Sequence, residues 1–145
     1  MTSVSSNAFY GCTGLKSVVL SENLIEIKSS AFRECTGLKE INLPSNLISI
    51  GSYAFKGCTG ITKLEIPDSV TTMGNDAFAS CTGIKELKLS KNLTKIADRT
   101  FYDNTGISTF SKFEHPSNAP LAHPLLALIV VTLSGICTSF NPVLS

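Results

Sequence analysis

The side chains best suited to chemistry are five cysteines and two histidines, and four of the cysteines are evenly spaced. Cys12, Cys35, Cys58 and Cys81 fall 23 residues apart, with Asn104 in the fifth frame and Cys137 outside the series. Thiols at such places could bridge, hold zinc or act as nucleophiles. Zinc is disfavoured because there is no Cys-x-x-Cys spacing and both His115 and His123 lie outside the spaced region. A catalytic triad needs a histidine held by an acid beside a nucleophile. His115 and His123 each precede proline in a low-complexity tail, which is poor scaffolding for that role. Paired-carboxylate and phosphate-loop chemistry have no motif here. The residues therefore point away from an enzyme, and no metal or cofactor is called for.

What positions the cysteines is a repeat. Phe9, Phe32, Phe55, Phe78 and Phe101 share the same step, as do five Thr-Gly pairs ending at Gly14, Gly37, Gly60, Gly83 and Gly106. Self-similarity at this period marks a solenoid, in which each unit buries its apolar side only against its neighbours. The cysteines are then one position seen four times. They read as a buried ladder of free thiols in preference to inter-coil disulfides, since a stack places thiols side by side without aiming them at each other. Glycine in all five frames predicts either a positive φ or a close approach of the next coil.

Within a frame, Leu15, Val18, Leu20, Asn23 and Leu24 give L-x-x-L-x-L-x-x-N-L. The alternation at Val18/Leu20, Ile41/Leu43, Leu64/Ile66 and Leu87/Leu89 predicts a short parallel strand with one face inward. Pro44 and Pro67 end two of these strands. A second apolar alternation, Leu24/Ile27, Leu47/Ile50, Val70/Met73 and Leu93/Ile96, predicts a further extended segment on the opposite wall. Asn23, Asn46 and Asn92 are expected to be buried and to bond the backbone of the adjoining turn, with Ser69 breaking that ladder. Asn92-Leu93-Thr94 is a glycosylation sequon, but its phase in the ladder argues against modification. In the fifth frame Lys112 stands where a buried aliphatic is expected, and Phe110 and Phe113 are candidates to close the stack.

The fold class read from this is a mainly β repeat solenoid of about five coils with parallel short strands, spanning residues 7–113 (7–29, 30–52, 53–75, 76–98 and 99–113). Residues 114–123 read as a linker and 124–145 as a hydrophobic tail. The tail carries no Asp, Glu, Lys or Arg after Glu114, and 124–143 is long enough to cross a bilayer as a helix. A membrane anchor, a cleaved lipid-anchor signal with Ser117, Asn118 or Ala119 as attachment site, and a cap or misread frame all remain open. Met1–Ser6 lacks the basic and apolar regions of a secretory signal and enters directly into a repeat, which reads as a fragment.

The pattern Ala-Phe-x-x-Cys-Thr-Gly-Leu-Lys-x-Ile-x-Leu-Pro-x-Asn-Leu, complete at 31–47, resembles the Treponema-type leucine-rich repeat of the BspA-like surface proteins. The resemblance implies a curved solenoid used for adhesion or protein recognition at a cell surface, with no shared catalytic residues. A net charge of +1 gives no reason to propose nucleic acid as partner. The outward strand positions, Ser17, Val19, Glu40, Asn42, Lys63, Glu65, Glu86 and Lys88, are the candidate binding face, suited by their mixed charge to a protein ligand. The bland alternative for the same residues, and for Lys16, Lys39 and Lys85, is a face kept soluble by its charges. The expectation is thus a non-catalytic protein-recognition module, a cell-surface adhesin for host or extracellular proteins, with a cytoplasmic scaffold as the alternative.

Overall fold

A computed structural model describes residues 1–111. It contains ten short strands: β1 (Ser3–Val4), β2 (Ser17–Val18), β3 (Glu26–Ile27), β4 (Glu40–Ile41), β5 (Ser49–Ile50), β6 (Lys63–Glu65), β7 (Thr72–Met73), β8 (Glu86–Lys88), β9 (Lys95–Ile96) and β10 (Thr109–Ser111). Odd strands from β1 to β9 form one five-stranded parallel sheet. The other wall is in two pieces, β2–β4 and β6–β8–β10. Every pairing joins residues 23 apart, as in Ser49↔Thr72 and Lys63↔Glu86, so one repeat makes one coil. The five-stranded sheet begins at Ser3, ahead of the boundary at residue 7, because Ser3–Val4 supplies the second strand of a preceding coil.

A third wall carries the Ala-Phe segments. Phe9 donates its N–H to Ala31 O, Phe32 to Ala54 O, Phe55 to Ala77 O and Phe78 to Thr100 O, at 2.7–2.8 Å. Amides two residues to either side do the same, as Ser30 to Ser52 O and Glu34 to Lys56 O. This wall holds the left-handed residues of each coil: Asn7, Ser30, Tyr53, Asp76 and Arg99 at one position, and Glu34, Ser80 and Asp103 with Gly11 and Gly57 at another. Glycine occupies only two of those ten places. The recurrent Thr-Gly glycine is needed for the other reason: a Cβ on Gly60 would lie 2.7 Å from the carbonyl oxygens of Leu38 and Thr36.

The core is a set of side-chain ladders. The five phenylalanine rings stack nearly parallel, with centroids 5.0, 5.1, 5.0 and 5.7 Å apart, close to the inter-strand spacing of a sheet. Leu38, Leu64, Ile66, Leu87 and Leu89 close it from one wall, and Ile27, Ile50, Met73 and Ile96 from the other. Phe9, Leu15, Val18 and Leu20 are only partly buried because the first coil has its neighbour on one side.

Cys35, Cys58 and Cys81 are buried and unbridged. Each thiol donates to a phenylalanine carbonyl of the coil before it: Cys35 Sγ to Phe9 O at 3.0 Å, Cys58 to Phe32 O and Cys81 to Phe55 O at 3.1 Å. Asn104 takes over the same bond in the fifth coil, Nδ2 to Phe78 O at 2.9 Å. Cys12 departs from the expected buried ladder; it is exposed because no phenylalanine carbonyl of an earlier coil covers it. Burial in apolar surroundings pushes the Cys35 and Cys58 thiols up, and Cys81 to about 12, so the thiols stay protonated donors.

The asparagines correct the sequence expectation in a second way. Asn23, Asn46 and Asn92 are exposed, not buried. Asn46 and Asn92 do bond the preceding turn, Nδ2 to Glu22 O and to Asp68 O at 2.8 Å, but from outside the wall. Ser69 keeps a related bond, Oγ to Leu47 O at 2.6 Å. Among the described residues the buried polar ones are instead Ser30, Asp76, Ser90, Thr100 and Asn104. Lys112, Phe113, the linker and the hydrophobic tail, with the expected helix there, lie outside the described residues.

Candidate protein-recognition face

The strand wall made by β2, β4, β6 and β8 turns its alternate side chains outward because the pleat reverses every residue. Ser17, Val19, Glu40, Asn42, Lys63, Glu65, Glu86 and Lys88 are all exposed, Val19 at 97%. Register sets Ser17 beside Glu40 and, in the other piece, Lys63 beside Glu86 and Glu65 beside Lys88. Among the described residues no ladder joins β4 to β6, so the candidate positions come together as two groups.

Opposite charges meet directly in the second group. Lys88 Nζ lies 2.7 Å from Glu65 Oε1, and the hydrogen bond to that carboxylate, aided by its charge, raises the Lys88 pKa. Both side chains are half exposed, so the pair fixes direction more than it adds stability. Asp68 and Lys91 extend the pattern beyond the predicted residues. Lys91 N–H donates to Asp68 Oδ1 at 3.1 Å and Lys91 Nζ approaches Oδ2 at 3.5 Å. The backbone N–H is the chief reason that the Asp68 carboxyl is held below its ordinary range. Opposite charges 23 residues apart were the available signal.

Phe32, Phe55, Phe78 and Phe101 and the thiols of Cys35, Cys58 and Cys81 are buried inside the coils, whereas Asn92 is exposed beside Lys91 and bonds Asp68 O. Among the described residues no group of three or more His, Cys, Asp or Glu side chains could hold a metal ion. No helix among them is long and apolar enough to cross a membrane.

Comparison with known proteins agrees with this geometry. The solved structures it is similar to include a leucine-rich repeat protein from Bacteroides ovatus ATCC 8483, at 28% identity and a TM-score of 0.72 over 76% of this chain. They also include a leucine rich cell surface protein from Faecalibacterium prausnitzii A2-165, at 26% identity and 0.75 over 80%. The T. pallidum leucine rich repeat protein is 31% identical, with 0.73 over 75%. The chain spans 28%, 31% and 51% of their respective lengths. No curated protein matches the chain. The BspA type leucine rich repeat region matches residues 2–118 in six copies, and the chain belongs to that family.

Proposed function

We infer that this chain is a non-catalytic protein-recognition module that works as an adhesin at a cell surface, binding host or extracellular proteins through its exposed strand wall. The observation that carries the reading is the register of that wall. Lys63/Glu86 and Glu65/Lys88 present short rows of mixed charge, with Ser17/Glu40 as a neutral–acidic row, and such rows suit a protein ligand of complementary charge better than a polyanion. Similarity to a leucine rich cell surface protein supports the location. A membrane anchor in 124–143 would be consistent with it, and the linker and tail at 114–123 and 124–145 complete the proposed organisation.

The test is binding of the full chain to a panel of immobilised extracellular matrix proteins, repeated with Glu40, Glu65 and Glu86 all changed to Lys. Binding is expected to fall about tenfold or more, since each reversal replaces attraction by repulsion. Unchanged affinity would refute the choice of face. Lys63 and Lys88 should also be labelled on intact cells by an impermeant amine reagent; labelling only after lysis would favour a scaffold inside the cell.

A further inference from the structure

The third wall carries a row of side chains that the strand-wall reading leaves unused. Tyr10, Tyr53 and Tyr102 are exposed there, by 49%, 36% and 51%. Arg33 lies between the first two, its Cζ 5.5 Å from the Tyr10 ring and 5.7 Å from the Tyr53 ring. Lys56 Nζ sits 5.4 Å from the Tyr53 ring and Arg99 Cζ 4.3 Å from that of Tyr102. A cation over an aromatic face is held without being consumed, because the ring takes none of its N–H donors.

The carboxylates of this edge are largely engaged. Glu34 Oε1 accepts from Arg33 Nε at 3.3 Å. Asp76 Oδ1 faces Lys56 Nζ at 3.2 Å and Arg99 Nε at 3.7 Å. Asp103 Oδ2 accepts from Ser80 Oγ. Asp98 is exposed and makes no side-chain bond among the described residues. Both arginines thus have Nε beside a carboxylate and Cζ within 6 Å of a tyrosine ring, while their terminal Nη donors make no hydrogen bond among the described residues. That is the fork geometry that takes a carboxylate with two parallel bonds. The composition also differs from that of the strand wall: tyrosine and arginine dominate interface hot spots, whereas lysine and glutamate are depleted at interface cores.

We propose that the Tyr10–Arg33–Tyr53 and Arg99–Tyr102 clusters form a second docking edge, which takes an extended protein segment bearing two carboxylates. The edge rests on the protein-recognition reading above and adds a surface to it. Arg33 belongs to the second coil and Arg99 to the fifth, three spacings or about 14–15 Å apart along the axis at the spacing of a sheet. An extended chain puts residues i and i+4 on one face about 13 Å apart. Aspartates at those two places would reach both guanidiniums, and the side chain between them would rest on Tyr53.

The experiment is an NMR titration of the isotope-labelled full chain with a blocked peptide, Asp-Gly-Leu-Gly-Asp, and with its Asn-Gly-Leu-Gly-Asn counterpart. Shifts are expected at Arg33, Tyr53, Arg99 and Tyr102, for the aspartate peptide only. Arg33→Lys with Arg99→Lys, which keeps the charge and removes the fork, should weaken binding about tenfold. Lys16→Gln with Lys39→Gln, two exposed cations outside both faces, should leave it unchanged. Absence of saturable binding, equal binding by the double arginine variant, or equal binding of the asparagine peptide overturns the proposal. Shifts confined to Lys63 and Lys88 overturn it too, while leaving the strand wall as the recognition face.

Discussion

The phenylalanine ladder yields a prediction with an internal control. Phe55 is fully buried and stacks on Phe32 at 5.1 Å and Phe78 at 5.0 Å. Phe55→Ala removes a whole buried ring, which costs about 3–5 kcal/mol with the cavity included, and two aromatic contacts worth about 0.5–1.5 kcal/mol each beyond area are lost with it. The cavity cannot collapse readily, because Phe32 N–H to Ala54 O and Phe55 N–H to Ala77 O pin the coils on both sides. The loss should fall near the top of the range, about 4–5 kcal/mol. Phe9 has one stacking partner and is partly exposed, so Phe9→Ala should cost about 1–2 kcal/mol. Urea unfolding of both variants, followed by circular dichroism, gives the two values. The slope with denaturant also shows whether the array still unfolds as one unit. A loss below about 1 kcal/mol for Phe55→Ala, or losses of equal size for the two, would refute the reasoning.

Gly60→Ala should destabilise by about 1–3 kcal/mol in the same assay, because its Cβ would meet two backbone oxygens that cannot turn aside. Gly14→Ala, with nothing within 4 Å, should change stability by less than about 0.5 kcal/mol. The buried thiols predict an alkaline weakness. In the unfolded chain they ionise near pH 8.5, while Cys58 and Cys81 are raised well above that in the folded chain, Cys81 to about 12. Their contribution is complete below pH 8.5 and is lost as pH rises towards 12, by about 1.4 kcal/mol per pH unit for each thiol. Unfolding free energies of wild type minus Cys58→Ala/Cys81→Ala, measured from pH 8 upward, should shrink at that slope; a flat difference would contradict the buried protonated ladder. Alkylation with peptide mapping should modify Cys12 in the native protein, and Cys35, Cys58 and Cys81 only on unfolding.

What the sequence disclosed, and what it hid, follows from how each feature is encoded. Phe9 to Phe101, Cys35 to Cys81 and the two apolar alternations are like residues at a constant step, and the stack converts that step directly into ladders and strands. The left-handed residues were not legible. Asn7, Ser30, Tyr53, Asp76 and Arg99 share a backbone conformation and no side-chain chemistry; the inter-coil bonds of the third wall impose it, at a cost that glycine would have avoided. The asparagines were half legible. Their bond to the preceding turn follows from the residue type, but their exposure depends on which side of the wall the turn passes. The half-coil at Ser3–Val4 was too short to show a period. The tyrosine–arginine edge was hidden because it joins unlike residues from two positions of the repeat, so no search for recurring types would assemble it.

The one-way bonding of the third wall gives the array a direction. Coil after coil, the amides of this wall point towards the C-terminal neighbour, and the carbonyls of Ser29, Ala31 and Arg33 point back towards the N-terminal one. Their dipoles add along the solenoid axis, with the partial negative end at the first coil, opposite in sense to the dipole of a helix. Along this wall the two faces of a coil are therefore unlike, one presenting acceptors and the other donors, whereas amides such as Gly51 to Ile27 O run the other way in the five-stranded sheet. Two such arrays meeting end to end along this wall can match only head to tail. A twofold pairing of like ends would set carbonyl against carbonyl or amide against amide.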